Sequence, residues 1–384
     1  MLRAMRRVRR WVSRVLVLAV LVLGSLAGLD QWLLHADEGA ETEAAPAPRS
    51  APAPERKATR SQLKGPFGSP EACAAAWAER SQSVREARGK RGPRVGTWNV
   101  RWFPLGSKDG KNLAEHTDIA WLACAIALLD VDVLAVQEFL DSPEARAAAL
   151  DLIAQLDALI GGRHRLELDD CAGGGRQHVG LLWNEQRVKV EGLRSIAALN
   201  PTGSMCGSSL RPGFGGRARF SDGTDLHVIS VHLDSGEEAR DFEHRATSIH
   251  TLRELLPALR SSDQDVLVLG DYNAMGCSKC APAVSASDEL SKLDATIAGL
   301  SLHRLEHALG NRCTHYYRGN AGLLDLALAS ASLKERVVRT GAAGVCEALA
   351  CERPKRGERP LAWDTLSDHC PVIVQLEPSS KRAR

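Results

Sequence analysis

Short apolar runs that end in acids, amides or histidines recur along this chain of 384 residues and limit the folds open to it. Seven runs have the length and β-branched content of strands, and several are apolar almost throughout, as in strands buried on both faces. The predicted strands cover residues 95–100, 131–136, 179–183, 226–231, 266–269, 323–328 and 372–376. Helical spacing predicts helices over residues 117–129, 143–159 and 237–259, with Asp118 and Ser142 as caps. The pattern indicates one large α/β domain without internal repeats.

Six of these segments deliver a carboxylate, an amide or an imidazole. They are Asn99, Gln137-Glu138, His232, Asp271-Tyr272-Asn273, Leu324-Asp325 and Ser367-Asp368-His369. One such residue is usually a turn or capping residue. Six are hard to explain by turns alone, because burying that many acids close together is costly unless a cation or a proton compensates them.

These segments also carry a family resemblance. Trp98-Asn99-Val100-Arg101, Gln137-Glu138, Ser230-Val231-His232, Gly270-Asp271-Tyr272-Asn273, Leu324-Asp325 and Ser367-Asp368-His369, in this order, resemble the endonuclease/exonuclease/phosphatase superfamily, which includes pancreatic deoxyribonuclease I. The resemblance covers residues 94–377. It implies a four-layer α/β sandwich, in which two packed mixed β-sheets are flanked by helices and the site lies at one edge.

The resemblance implies a metal site as well. Asn99, Glu138 and Asp368 would hold a divalent cation. Oxygen ligands of this kind suit Mg²⁺, with Mn²⁺ or Ca²⁺ as alternatives, better than zinc.

The remaining motif residues would carry the catalysis. By resemblance, Asp271 and Asn273 would position the attacking water and the phosphate. His369 would be the general base or the electrostatic partner at the phosphate, with Asp325 fixing its tautomer. His232 would protonate the leaving oxygen or stabilise the transition state. Phosphodiester hydrolysis independently calls for a base, a cation and an acid.

Four flanking residues bear on phosphate binding. Arg176 and His178, and Arg211 further along the chain, resemble segments that contact the phosphate, or brace the first histidine, in bacterial members of the superfamily. The alternatives are a solvated loop arginine and a histidine that faces a neighbouring strand. Asp234 stands where close bacterial relatives often have lysine, and an acid there repels phosphate.

The resemblance implies a metal-dependent phosphodiesterase that hydrolyses nucleic acid, with an endonuclease favoured and DNA favoured over RNA. The alternative is a phosphodiesterase or phosphatase acting on a phospholipid head group, as sphingomyelinases do, or on a small phosphate ester. A binding module without turnover ranks last, because none of the motifs is eroded. We expect a monomer, and the sequence indicates no protein partner.

Charge restricts how such a protein can hold a polyanion. The formal net charge is +2, but the first 14 residues contain six arginines and no acid, so the rest of the chain sums to −4. A protein that holds nucleic acid mainly through a charged surface is strongly basic. Polyanion binding must therefore be local or metal-assisted.

The N-terminal region predicts export. Residues 1–36 have the arginines followed by the apolar run 15–29, as in a signal peptide or a signal anchor, and this run is shorter than the ~20 residues of a spanning helix. Residues 37–69 are rich in Ala and Pro and predict a disordered linker, which leaves 70–384 as the catalytic domain. We expect a secreted, periplasmic or membrane-anchored protein facing outside the cytoplasm, with 15–29 as a membrane tether if it is retained.

Ten cysteines, all beyond the leader, fit an oxidising compartment. Structural disulfides are favoured over metal binding, although Cys277-x-x-Cys280 would also suit a redox centre or half of a zinc site. By resemblance to secreted nucleases, a disulfide in the segment 277–280 would fix the loop after Asn273. The predicted pairs are Cys171–Cys206, Cys346–Cys351, and Cys313 with Cys277 or Cys280.

Overall fold

The computed structural model describes residues 59–61, 63–88, 91–108, 116–171, 176–206, 210–307, 312–355 and 358–379. All of them belong to one compact unit, residues 56–384. The predicted leader, the apolar run 15–29 and the linker up to residue 58 lie outside the described residues. Among the helices of the described part, none is both long and apolar enough to cross a membrane.

Sixteen strands and eight helices make up the described part of the chain. The strands are β1 (Thr59–Ser61), β2 (Arg94–Phe103), β3 (Val133–Phe139), β4 (His164–Leu168), β5 (His178–Asn184), β6 (Val188–Ile196), β7 (Gly213–Phe220), β8 (Asp225–His232), β9 (Val266–Asp271), β10 (Leu302–Arg304), β11 (His315–Tyr317), β12 (Asn320–Gly322), β13 (Asp325–Ser330), β14 (Val337–Ala342), β15 (Glu358–Pro360) and β16 (Val372–Leu376). The helices are α1 (Pro70–Arg88), α2 (Ile119–Leu129), α3 (Pro143–Ile160), α4 (Ala239–Arg260), α5 (Ala286–Ala298), α6 (Ala331–Lys334), α7 (Val345–Ala348) and α8 (Leu361–Thr365). All seven predicted strands and all three predicted helices are confirmed, each end within three residues.

The strands form two mixed six-stranded sheets. The first has the order β14-β16-β2-β3-β5-β4 and the second the order β10-β13-β9-β8-β7-β6. Each contains one parallel pair near its centre, β2 with β3 and β8 with β9, and its other pairs are antiparallel. Helices α2 and α3 pack on the outer face of the first sheet, and α4 and α5 on that of the second. The predicted four-layer α/β sandwich is therefore confirmed.

The period of two along a strand explains which side chains meet between the sheets. In β2, Val95 faces the inter-sheet core and Trp98 faces the helices. In β8, Val228 and Ile229 divide in the same way. Asn99 therefore lies on the inner face of β2. By the same alternation, the inner faces of β8, β9 and β13 end in His232, Asp271 and Asp325.

A buried polar column joins the two sheets just below that end. Thr97 Oγ1 donates to Gln137 Oε1 at 3.1 Å, and Gln137 Nε2 donates across the core to Ser230 Oγ at 3.0 Å. Ser230 Oγ in turn donates to the Val136 carbonyl oxygen at 3.2 Å. All three side chains are fully buried, so the hydrogen bonds offset the cost of removing them from water.

Several elements had no clear signal in the sequence, among them α1, α5, β6 and β7. Strand β7 shows the reason, because its sequence GFGGRARF is rich in glycine, which disfavours strands. Gly215 is required there by close packing, since a Cβ at this position would lie 2.4 Å from the Val228 carbonyl oxygen of the neighbouring strand. Packing also extends ahead of residue 70: the Phe67 ring lies 6.3 Å from that of Trp98, and Trp121 Nε1 donates to the Pro66 carbonyl oxygen.

All ten cysteines are paired, which supports folding in an oxidising compartment. The predicted bond Cys171–Cys206 is confirmed. The predicted pair Cys346–Cys351 is wrong, because each of these residues bonds to a neighbouring segment. The predicted pair of Cys313 with Cys277 or Cys280 is also wrong, because Cys277 and Cys280 bond to each other. The remaining disulfides are Cys73–Cys124, Cys277–Cys280, Cys313–Cys351 and Cys346–Cys370.

Candidate active site

Strand register brings three of the predicted residues side by side. His232 at the end of β8 is the cross-strand partner of Asp271 in β9, and Asp271 is the partner of Asp325 in β13. Gly270 makes this approach feasible: its φ is +151°, and a Cβ there would lie 2.0 Å from the Val231 carbonyl oxygen. A side chain at position 270 would therefore push β8 and β9 apart where His232 meets Asp271.

Asn99 connects the two sheets at the site. Its Nδ2 donates to Glu138 Oε1 and to Asp271 Oδ2, both at 2.9 Å. The first carboxylate belongs to the first sheet and the second to the other sheet. A single buried amide thus holds two acids from different layers next to each other.

Four non-glycine residues around this amide have positive φ. They are Arg101 (41°), Trp102 (48°), Glu138 (65°) and Asn273 (48°). Such conformations cost on the order of 1–3 kcal/mol each and persist only where surrounding contacts enforce them. Here Trp102 N donates to Glu138 Oε2 at 3.0 Å, and Asn273 N donates to Asp271 Oδ1 at 2.9 Å. Strained backbone of this kind is typical of functional sites.

His369 is held by an acid on the opposite sheet. Its Nδ1 lies 2.8 Å from Asp325 Oδ2, and its Nε2 lies 3.8 Å from Asp271 Oδ2. Burial by itself lowers the pKa of His369, but the carboxylates of Asp325, Asp271 and Asp368 outweigh it and raise that pKa to about 10. In the metal-free protein at neutral pH, His369 therefore carries a proton on each ring nitrogen.

His232, unlike His369, is uncharged at neutral pH. Its Nε2 lies 3.5 Å from Asp271 Oδ2 and 3.3 Å from Arg211 Nη2. Burial, with smaller contributions from the positive charges of Arg211 and His369, holds the pKa of His232 well below its usual value. The two imidazoles thus face the same Asp271 carboxylate, one neutral and one protonated.

Gln177 and Arg211 extend the cluster. Gln177 Nε2 donates to Glu138 Oε2 at 2.5 Å, and Arg211 Nη2 donates to Gln177 Oε1 at 3.3 Å. Arg211 is among the residues that the resemblance marks for phosphate contact, whereas Gln177 stands inside the segment 176–178 and was not singled out.

Two of the predicted phosphate ligands, Arg176 and His178, lie at the start of β5. His178 is buried at the start of β5, where its Nδ1 lies 3.1 Å from Asp169 Oδ1 and its cross-strand partner is Phe139, the residue after Glu138. Arg176 is half-buried just ahead of that strand. Asp234 Oδ2 lies 2.7 Å from His244 Nδ1 of α4.

Asp368 lies on the far side of His369, next to a histidine that we did not predict. His315 Nε2 is 3.9 Å from Asp368 Oδ2, and the His315 ring centroid is 4.4 Å from that of His369. Strand β11, which carries His315, is only three residues long, too short for a periodic signal. Asp368 Oδ1 is buried without a hydrogen-bond partner, as a group suited to a further ligand would be.

The donor set suits a hard divalent cation. Burial raises the pKa of both Glu138 and Asp271, which means that their negative charges are incompletely compensated in the metal-free protein. Among the described residues three groups bring ligand atoms within 4.8 Å of one another: Glu138 with His232 and Asp271; Asp271 with Asp325 and His369; and His315 with Asp368 and His369. Carboxylate oxygens of Glu138 and Asp271 lie around Asn99, and oxygen ligands are those that Mg²⁺, Mn²⁺ or Ca²⁺ prefer.

Two packed mixed sheets with acids, an amide and imidazoles at one edge define the class of phosphoester hydrolases that the sequence resemblance predicted. The sequence profile of the Endonuclease/Exonuclease/phosphatase family matches residues 96–369, and the chain belongs to this family, whose enzymes hydrolyse phosphoester bonds.

Solved structures agree on the fold. The chain is similar to a mannosyl-6-phosphatase of Bacteroides thetaiotaomicron VPI-5482, with 18% identity, a TM-score of 0.50, and coverage of 74% of this chain and 99% of that one. It is similar to an endonuclease/exonuclease/phosphatase family protein from Bacteroides thetaiotaomicron, with 17% identity, a TM-score of 0.50, and coverage of 75% and 98%. It is also similar to truncated Caenorhabditis elegans TDP2, with 14% identity, a TM-score of 0.50, and coverage of 74% and 97%. No curated protein sequence matches the chain significantly.

Proposed function

We propose that this protein is an exported, metal-dependent phosphodiesterase that cleaves nucleic acid internally, with DNA as its main substrate. The observation that supports it most is the convergence of two imidazoles of different charge on one carboxylate. His232 Nε2 and His369 Nε2 lie 3.5 and 3.8 Å from Asp271 Oδ2. A phosphodiester bound against this group would meet a neutral ring from one side and a protonated ring from the other.

The chain's own residues match the demands of phosphodiester hydrolysis. The reaction must deprotonate a water, neutralise charge on the phosphoryl oxygens and protonate an alkoxide. Asp271 would hold the attacking water and accept its proton, and the Asn273 backbone N–H, which donates to Asp271 Oδ1, orients that carboxylate. His369 already carries its proton, so it would act as electrostatic partner and proton donor to the leaving oxygen, with Asp325 fixing its ring.

His232 would then have the second of its two predicted roles. With its proton on Nε2, the nitrogen that faces Asp271 Oδ2, a neutral His232 would donate a hydrogen bond to a phosphoryl oxygen and so stabilise the transition state. Asn99 and Glu138, with Asp368 or Asp271, would hold the cation. A bound divalent ion would supply Lewis-acid charge at the phosphoryl oxygens.

Purified protein incubated with supercoiled plasmid tests this proposal, because a closed circle offers no end and only internal cleavage converts it to open and linear forms. We expect cleavage with Mg²⁺ or Mn²⁺ and none with excess chelator. Glu138→Ala and His369→Ala should each lose activity by at least ~100-fold, as expected for a metal ligand and a general acid. Asp151→Ala, on the exposed side of α3, is the matched control and should retain wild-type activity.

Parallel reactions with sphingomyelin vesicles and with mannose 6-phosphate cover the alternative phosphoester substrates. The second compound is included because a similar structure is described as a mannosyl-6-phosphatase. Turnover of either without plasmid cleavage would replace the nuclease proposal by a lipid or small-ester hydrolase. Wild-type plasmid cleavage by both Glu138→Ala and His369→Ala would reject the proposed mechanism.

Export is supported by the five disulfides and by the arginine-led apolar run at residues 15–29. Cell fractionation of the full chain and of a form lacking residues 1–36 tests it. We expect the full chain outside the cytoplasm and the shortened form inside, with reduced cysteines. Cytoplasmic recovery of the full chain would contradict export.

A further inference from the structure

The hairpin β11–β12 stands next to the candidate active site. Its strands are joined by Arg318 and Gly319, which have φ of +51° and +79°, as in a tight two-residue hairpin turn. Tyr317 is 58% exposed although it lies two residues from the buried His315. The hairpin therefore runs from the site out to solvent within a few residues.

The hairpin is firmly attached to the segment that carries His369. Tyr316 N donates to the Asp368 carbonyl oxygen at 2.9 Å, and Cys370 N donates to the Thr314 carbonyl oxygen at 2.7 Å. On the inner face, the Tyr316 ring lies 5.0 Å from that of Trp363. The Cys313–Cys351 disulfide ties the residue two positions before β11 to the segment after α7. Tyr317 is thus exposed although the hairpin that carries it is firmly held.

The other face of the hairpin carries a series of rings that begins at the catalytic centre. His315 and Tyr317 share this face because they are two residues apart in a strand. The His315 centroid lies 4.4 Å from that of His369 and 6.5 Å from that of Tyr317, whose ring is inclined to it by only 15°. The Arg318 guanidinium carbon lies 5.2 Å from the Tyr317 centroid. The series ends at an exposed tyrosine ring with a guanidinium over it, and both groups are open to solvent.

Few apolar side chains are left open to solvent elsewhere. Among the described residues the exposed large hydrophobic side chains are Leu150, Met205, Tyr317 and Val338, and Tyr317 is the aromatic one. An anchored tyrosine offers a large flat surface and loses little conformational entropy when a ligand covers it. An exposed arginine can stack on the same ligand and attract its phosphates.

We propose that Tyr317 and Arg318 form a stacking platform for a nucleobase next to the scissile phosphate. The inference rests on the proposed function and extends it by naming the part of the substrate, the base, that the protein recognises outside the reacting group. Bases stack on aromatic and guanidinium planes with little sequence preference. The platform adds affinity for unpaired nucleotides without requiring a strongly basic protein, which suits a chain whose formal charge after residue 14 sums to −4.

The test compares a single-stranded oligodeoxythymidylate with an abasic strand of equal length, in which tetrahydrofuran units replace the nucleosides. The first is assayed as substrate for KM and kcat and the second as a competitor for its inhibition constant. Tyr317→Ala should raise KM for the thymidylate strand by roughly ten- to hundredfold, the effect of losing one stacked base. It should leave kcat within about twofold and the inhibition constant of the abasic strand unchanged.

Two variants serve as controls. Tyr317→Phe keeps the ring and should keep the wild-type KM. Leu150→Ala removes an equally exposed side chain from α3 and should change neither constant. The platform is overturned if Tyr317→Ala leaves KM for the thymidylate strand unchanged, or weakens abasic and thymidylate strands equally. A wild-type protein that cleaves no oligonucleotide but hydrolyses another phosphoester would instead reject the proposed function itself, and the platform with it.

Discussion

At the scale of single residues, the candidate site is organised around Asp271. This carboxylate accepts from Asn99, lies within 4 Å of the Nε2 atoms of His232 and His369, and is oriented by the backbone N–H of Asn273. Its two neighbouring imidazoles differ in charge. The carboxylates of Asp325, Asp271 and Asp368 outweigh burial and raise the pKa of His369, whereas burial, with the positive charges of Arg211 and His369, lowers the pKa of His232. Of these acids, Asp325 has the largest effect on the pKa of His369 and lies against its Nδ1.

Replacing that acid gives the residue-scale prediction. Asp325→Asn keeps the shape of the side chain but removes the negative charge that stabilises the imidazolium. We expect the pKa of His369 to fall from about 10 in the metal-free protein, which NMR titration of the ring would detect. We also expect kcat to fall by roughly 100- to 10,000-fold, as for other histidines that lose an orienting carboxylate, with a smaller change in KM.

Asp294→Asn is the control, since Asp294 pairs with Arg304 near the surface, away from the cluster. It should leave both the His369 titration and kcat unchanged. An unaltered His369 titration in Asp325→Asn would show that Asp325 does not set the charge of that ring.

At the scale of elements, a buried ion pair fixes the loops that follow two site residues. Arg245 of α4 donates from Nε to Glu289 Oε1 of α5 at 2.7 Å and from Nη2 to Oε2 at 3.0 Å. The same guanidinium donates to the Gly236 and Gly276 carbonyl oxygens at 2.9 and 2.8 Å. Those glycines lie in the loops after His232 and Asn273, so two helices hold both loops through one side chain.

Arg245→Met should therefore destabilise the protein strongly. It leaves Glu289 buried without its partner, a change that costs about 3–5 kcal/mol in comparable pairs. Equilibrium urea unfolding measures the loss, and the double variant with Glu289→Leu should recover much of it, because it removes the uncompensated charge. Arg165→Met, which breaks an exposed pair with Glu167, should cost far less, because solvent screens such a pair. Equal costs for the two arginines would contradict the structural role assigned to Arg245.

At the scale of the whole molecule, the disulfides tie distant segments to the sandwich. Cys73–Cys124 attaches α1 to α2 across 51 residues, whereas Cys277–Cys280 spans a separation of three. A cross-link restricts the unfolded chain more when the loop that it closes is longer. Removing Cys73–Cys124 by a double serine substitution should cost about 4 kcal/mol, and removing Cys277–Cys280 about 1.5 kcal/mol. Urea unfolding of the two double variants would reveal the order, and the reverse order would show that local packing outweighs chain entropy.

Sequence periodicity predicted an α/β domain with polar residues at its strand ends, and the family resemblance implied the sandwich that brings them together. Alternation along each strand then decides which side chains face the other sheet. Contacts that depend on loop conformation were beyond it. His315 sits in a three-residue strand, and Gln177 is placed by the turn ahead of β5. The pairing of Cys346 with Cys370 rather than with Cys351 depends on how α7 packs beside the loop before β16. Such information lies in the arrangement of segments and not in any one of them.

The hydrogen-bonded column of Thr97, Gln137 and Ser230 limits how the two sheets can move against each other. Half of the candidate site belongs to each sheet, and a slip of one sheet by a single residue, about 3.3 Å, would carry Glu138 away from Asp271. Apolar layers alone resist such sliding weakly, since one methyl group can replace another. A directional hydrogen bond between the layers, from the Gln137 side-chain amide to Ser230 Oγ, has one alignment. The alignment of the two sheets is therefore a condition for the site, and this column maintains it.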